Sequence, residues 1–144
     1  DLIRAVHTAN PIAHDQRTSL RTDSRLREFH MGALEGLRKG TVRTRYPQLH
    51  HDTRDPGFDC TDVGGESRAL VRYRMLEAMK DIFRRYAQEG TTPMVAVVSH
   101  AGAMRVLLQA LDIPYRVTHG QWQVVQLSKD QLMSVGSTLP KELR

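Results

Sequence analysis

The tripeptide Ser99-His100-Ala101 is the strongest candidate for chemistry in the sequence. It follows an apolar, β-branched run from Met94 to Val98, and the residues after it have helical spacing of apolar positions. At the junction of a buried strand and a helix, His100 would lie beside the free N–H groups and positive dipole end of that helix. It could then donate a hydrogen bond to a bound anion or exchange a proton with it. The alternative is a histidine that caps the helix without any chemistry.

Arg4 and Glu28 are two further candidates for chemistry. Arg4 lies in a predicted first helix, and its planar guanidinium suits phosphate oxygens. Glu28 lies in the mostly apolar, loop-like segment 26–32, where partial burial would let it act as a general acid near neutral pH. The alternatives are a solvated helix arginine and an exposed loop glutamate.

Helices and strands that alternate along the chain would position these residues. A first helix over residues 1–10 should stop before Pro11, because proline removes a donor and disfavours helix in the residue before it. Ser67 is the predicted N-cap of a long helix that ends near Gly90. The remaining predicted elements are a short helix near 39–46, a strand over 93–99, a helix through 104–111 and a strand over 121–128. This alternation predicts one α/β domain over residues 1–144.

Composition and charge narrow the class of protein. Hydrophobic residues make up 40% and charged residues 26% of the 144 residues, a balance that argues against disorder. No apolar run approaches the ~20 residues that a bilayer requires. The single cysteine fits a reducing compartment, and we expect a cytoplasmic protein with no membrane partner. The net charge of +5 favours an anionic partner, either nucleic acid or a phosphorylated small molecule, although scattered basic residues are also typical of a solvated surface.

Four blocks of sequence, in order along the chain, resemble the histidine phosphatase superfamily. The run DLIRAVHTA at 1–9 resembles its S-D-L-x-R-A-x-x-T-A segment. LREFHMGALEG at 26–36 resembles its L-x-E-x-x-x-G-x-x-E-G block, and VVSHAGAMR at 97–105 resembles its V-S-H-G-G-x-x-R signature. Tyr46-Pro47, followed by GGES at 64–67 and then Arg74, is similar to the family's Y-P … G-G-E-S … R stretch. The resemblance covers residues 1–128.

This resemblance implies a fold and an activity. The fold would be the phosphoglycerate mutase-like one, a three-layer αβα sandwich with a mostly parallel sheet. Family members transfer a phosphoryl group to a histidine in an N-terminal Arg-His-Gly motif, which divides one hard transfer into two easier ones. By resemblance, Arg4, His100 and the backbone at Ala101 would bind the phosphate. Glu28 would protonate the leaving oxygen and later activate water. No metal and no organic cofactor are implied.

The sequence departs from the family pattern in two ways. It contains no Arg-His-Gly, and we interpret Thr118-His119-Gly120 as a coincidence because it follows the last long helix. The resemblance therefore implies an N-terminally truncated domain that lacks a βαβ unit of on the order of 30 residues and is inactive alone. The sheet edges exposed by that loss predict dimerisation between copies. Ala101 replaces the first glycine of the usual His-Gly-Gly.

Several functional alternatives stay open at this point. The short segment between Gly36 and Gly64 favours a phosphatase of small phosphorylated metabolites over a phosphoglycerate mutase. A pseudoenzyme that binds inorganic phosphate without turnover is a second hypothesis. Nucleic-acid binding ranks last, because no aromatic platform accompanies the positive charge. The loop at His50-His51-Asp52 is interpreted as solvated rather than as a metal site, because adjacent histidines lack helical ligand spacing.

Overall fold

The regular structure of the described residues is helical. The computed structural model describes residues 1–49, 52–87, 90–115, 120–136, 139–140 and 143. Across these ranges the α-helices are α1 (Ile3–Asp15), α2 (Lys39–Arg45), α3 (Arg68–Tyr86), α4 (Ala101–Ala110) and α5 (Lys129–Ser134). Short 3-10 turns occur at Ser24–Leu26, Gly32–Leu34 and Thr61–Val63. The fold of this part of the chain is therefore mostly helical.

The prediction of a three-layer αβα sandwich with a mostly parallel sheet is wrong for this structure. Both predicted strands, 93–99 and 121–128, lack strand structure, and the β-pairing among the described residues is one isolated bridge between Asp59 and Ser67. A strand needs a neighbour to accept and donate its backbone hydrogen bonds, and neither segment has one in the described ranges. The exposure of the side chains also argues against a central strand, because Met94 is 94% exposed and a central strand would bury it.

The helix predictions held better than the strand predictions. Ser67 is the N-cap of α3, and its hydroxyl accepts a hydrogen bond from the Leu70 N–H at 3.1 Å. Helix α3 ends at Tyr86, before the predicted end near Gly90. Helix α1 runs through Pro11, contrary to prediction. Proline there removes only the bond to the carbonyl of His7, and both residues are exposed, so water can satisfy that carbonyl.

One apolar core joins α3, α4 and α5 to the long connection that precedes α3. From α3 and α4 it takes Val71, Met75, Leu76, Ala103, Val106 and Leu107, with Leu132 from α5. Phe29 and Phe58 lie edge to face in it, with ring centroids 5.1 Å apart. The core therefore fixes the segment around Phe29, and with it the neighbouring Glu28, against the start of α4.

None of the helices in the described ranges combines the length and apolarity needed to cross a bilayer.

Candidate functional site

The Glu28 carboxylate lies against the N-terminus of α4. Its Oε2 accepts a hydrogen bond from the Gly102 N–H at 3.0 Å, and its Oε1 accepts one from the Ala103 N–H at 2.9 Å. These are orphan donors of the first helical turn, where the helix dipole favours a negative charge. We expected such N–H groups to face a bound anion. In this structure a side-chain carboxylate takes two of them.

Gly102 permits this close approach of the carboxylate. A Cβ at this position would lie 2.5 Å from Glu28 Oε1 and 3.1 Å from the Phe29 ring, and the first of these distances is too short for a real contact. The glycine that stands second in the His-Gly-Gly of the family pattern therefore lies where any Cβ would require the Glu28 carboxylate to move. Ala101, which replaces the first glycine, is half-buried and directly follows His100.

His100 and Arg4 meet beside this carboxylate. The Arg4 Nε–H points at His100 Nδ1 across 3.3 Å. A guanidinium can only donate, so Nδ1 must be the unprotonated nitrogen and the ring proton must lie on Nε2. The predicted phosphate-binding residues Arg4 and His100 are therefore in contact. Nearby, an ion pair between Arg27 and Asp1, Nη2 to Oδ2 at 2.6 Å, connects the start of the chain to the segment that carries Glu28.

The electrostatics of the site favour a neutral imidazole at His100. Burial lowers the pKa of His100 below its usual value, and the positive charge of Arg4 lowers it further, while Glu28 opposes the shift. A neutral ring with its proton on Nε2 presents one N–H donor, and Arg4 adds its remaining guanidinium donors. Together they can bind an oxyanion through hydrogen bonds and one full positive charge.

We expect NMR titration of the imidazole resonances to give a pKa of His100 below 6.5, and Arg4→Gln to raise it. The folded state then binds fewer protons than the unfolded one, so stability from this group rises with pH between the lowered pKa and the usual value. Arg85→Gln, an exposed arginine of α3, is the matched control and should leave the titration unchanged. An identical His100 titration in Arg4→Gln would contradict the proposed electrostatic coupling.

Arg74 fixes the segment that carries Glu28. Its guanidinium donates to three carbonyl oxygens, those of Arg25 and Arg27 at 2.7 Å and that of Glu28 at 3.0 Å. It also forms a salt bridge with Glu66, Nε to Oε1 at 2.8 Å. One side chain of α3 thus satisfies three backbone acceptors of an irregular segment.

Glu66 and Ser99 complete this attachment. Glu66 Oε2 accepts a hydrogen bond from the His30 N–H at 2.9 Å, on the other side of Glu28. The Ser99 hydroxyl donates to the carbonyl of Leu26 at 2.7 Å, which joins the residue before His100 to the same segment. The backbone around Glu28 is therefore held from α3 and from the start of α4.

The structure brings together Arg4, Glu28, His100 and Ala101, the candidate residues of the sequence. Arg74 and Glu66 were named only as parts of a motif, and their positioning role was missed. Their spacing carries a signal, because Glu66 directly precedes the cap of α3 and Arg74 lies two turns into that helix. His50, His51 and the tripeptide's Thr118-His119 lie outside the described residues. In the described ranges no three His, Cys, Asp or Glu residues gather as a metal site would require.

Comparison with known proteins identifies a family and a similar solved structure. The family model described as the histidine phosphatase superfamily (branch 1) matches residues 1–129. A solved structure named "Mycobacterial hydrolase 1" is similar to this chain, with a TM-score of 0.66 and 28% sequence identity. The similarity covers 79% of this chain, which spans 56% of the length of that structure. No curated protein matches the sequence at a significant level.

Proposed function

The chain belongs to the histidine phosphatase superfamily, and we propose on that basis that it is part of a phosphatase of small phosphorylated metabolites. The reaction would proceed through a phosphohistidine intermediate, as the resemblance of its motifs implies. The short connection between Gly36 and Gly64 supports a phosphatase rather than a mutase.

The observation that carries this proposal is the contact between Arg4 and His100 beside the start of α4. The two residues are far apart in the sequence, and each matches a phosphate-binding position of the family motifs. Their contact creates a cluster of N–H donors with a positive charge, which is what a transferring phosphoryl group needs. The family membership supplies the reaction class, and this geometry supports its assignment to Arg4 and His100.

Each residue has a role in the proposed reaction. His100 Nε2–H and the Arg4 guanidinium hold the phosphoryl oxygens and stabilise their negative charge as it spreads. Glu28 donates a proton to the leaving oxygen and then accepts one from the attacking water. The sequence contains no Arg-His-Gly, so the 144-residue chain supplies the phosphate-binding groups and the proton donor without the nucleophile. We therefore expect no turnover by this chain alone.

Hydrolysis of p-nitrophenyl phosphate tests the proposal. We expect no turnover by the 144-residue chain and turnover by a form extended upstream along its reading frame. In the extended form, His100→Ala should lower kcat/KM by roughly 10²-fold or more, because one donor to the phosphoryl oxygens is lost. His14→Ala, an exposed histidine of α1, is the control and should leave kcat/KM unchanged. Robust turnover by the 144-residue chain, or an active His100→Ala variant, would overturn these roles.

A phosphate-binding protein without turnover is the second candidate, because Arg4 and His100 can bind a phosphate group whether or not a nucleophile is present. It predicts that the chain binds inorganic phosphate or vanadate at Arg4 and His100. If the upstream reading frame encodes no Arg-His-Gly and phosphate still binds, this function replaces the phosphatase. If the motif is present upstream and both forms are inactive, a mutase or a very selective phosphatase is favoured.

A further inference from the structure

A second group of arginines lines a groove between α3 and α4. The groove has a volume of about 260 Å³ and is lined by Arg68, Ala69, Arg72, Val106, Gln109 and Ala110. Helix α4 starts at the Glu28 carboxylate, and Gln109 lies two turns further along it. With a rise of 1.5 Å per residue, Gln109 is about 10 Å along the axis from Gly102. One small anion cannot therefore occupy both places.

The groove gathers the positive charges of two arginines of α3. Arg68 and Arg72 are four residues apart on α3, so they lie on the same side of the helix. Arg68 donates to two neutral acceptors, the carbonyl of Thr53 and Gln109 Oε1 at 2.5 Å. Arg72 has no hydrogen bond or ion pair within the part of the chain that the structure describes.

Arg105 of α4 adds a third positive charge nearby. Burial lowers the pKa of Arg68 and the charge of Arg105 lowers it further, and Asp55 opposes the shift only as the smallest of the three causes. The Arg105 guanidinium itself lies over the ring of Tyr115, 4.8 Å from its centroid. Packing α3 on α4 therefore holds like charges together, and an anion bound among them would relieve the repulsion.

We propose that the α3–α4 groove, defined by its six lining residues, is a second binding site for a phosphate group. A guanidinium matches two phosphate oxygens with parallel N–H donors, and the uncommitted guanidinium of Arg72 can do this without breaking another contact. Gln109 uses its Oε1 toward Arg68, so its amide N–H groups remain as additional donors. Ala69, Val106 and Ala110 give the groove an apolar side that could contact the carbon part of a phosphate monoester.

Backbone amide shifts of the 144-residue chain, followed by NMR during titration with inorganic phosphate, test this site. Ionic strength is held constant with sodium chloride, because exposed charges are screened by salt. We expect saturable shifts at Ala69 and Ala110. Arg72→Gln should weaken them by about tenfold, because a charge-assisted pair is replaced by a neutral amide. Arg72 is preferred to Arg68 as the variant, because Arg68 also supports Thr53 and Gln109.

Matched variants and ligands decide the outcome. Arg85→Gln removes an exposed arginine of α3 outside the groove and should leave the phosphate affinity there unchanged. Repeating the titration with glycerol 3-phosphate distinguishes a phosphate monoester from free inorganic phosphate as the ligand of the groove. Tighter binding than inorganic phosphate indicates a monoester as ligand, and equal binding indicates that the phosphate alone is recognised. Shifts confined to the residues around His100, or equal shifts in Arg72→Gln and the unsubstituted chain, would overturn the groove site and leave the proposed function untouched.

Discussion

Arg74→Met should lower the free energy of unfolding by about 3–5 kcal/mol, the range for removing one partner of a buried ion pair. Arg74 and Glu66 are both largely buried, with side chains 13% and 14% exposed. Methionine fills similar volume but donates no hydrogen bond. The substitution leaves the Glu66 carboxylate without its ionic partner and three carbonyl oxygens, those of Arg25, Arg27 and Glu28, without their donor. Urea denaturation followed by circular dichroism measures the loss.

A matched pair on the same helix provides the control. Arg84 pairs with Asp81, Nη1 to Oδ1 at 2.7 Å, but these side chains are 57% and 46% exposed. Arg84→Met should therefore change the unfolding free energy by only about 0–1 kcal/mol. In a double-mutant cycle, Glu66→Gln should recover part of the loss in Arg74→Met, because it removes the unpaired buried charge. Equal losses in Arg74→Met and Arg84→Met would show that Arg74 is not the anchor of this segment.

Helices α1 to α4 could be predicted from sequence, although with shifted ends, because a helix satisfies its own backbone, whereas α5 was not predicted. Ser67 caps α3 through a bond to a residue three positions away, and such local signals are written in consecutive residues. The segment 93–99 has equally strong composition for a strand, but a strand exists only with a neighbour. Val95 is 41% exposed and the segment has no ladder partner among the described residues. The strand predicted from composition is therefore absent, because no pairing partner accompanies the segment in the described residues.

The sequence predicts which residues form the candidate site but only part of the contacts between them. Resemblance named Arg4, Glu28 and His100, but it did not place the Glu28 carboxylate on the first N–H groups of α4. That placement depends on Gly102, because a Cβ there would require the carboxylate to move. The Arg74 anchor was also beyond prediction, because its acceptors are backbone carbonyls, which every residue has and which no sequence pattern marks. Sequence motifs therefore identify which polar side chains belong to the site, whereas their hydrogen-bond partners depend on tertiary packing.

In a form of the protein that turns over phosphate monoesters, Glu28→Gln should lower kcat by about 10²–10⁴-fold, the usual contribution of a general acid–base group. The inorganic phosphate affinity of the same variant should not fall, because the substitution removes a negative charge that His100 senses and leaves Arg4 in place. Glutamine also has only one acceptor oxygen for the N–H groups of Gly102 and Ala103. We therefore expect a stability loss of about 1–3 kcal/mol, the penalty for one unsatisfied buried donor.

The choice of leaving group separates lost proton donation from lost structure. p-Nitrophenolate leaves readily without a proton, whereas an alkyl oxygen needs one, so Glu28→Gln should reduce alkyl phosphate hydrolysis more than p-nitrophenyl phosphate hydrolysis. A general disturbance of the site would reduce the hydrolysis of both substrates alike. Equal losses for the two substrates in Glu28→Gln would therefore remove Glu28 from the role of proton donor to the leaving oxygen.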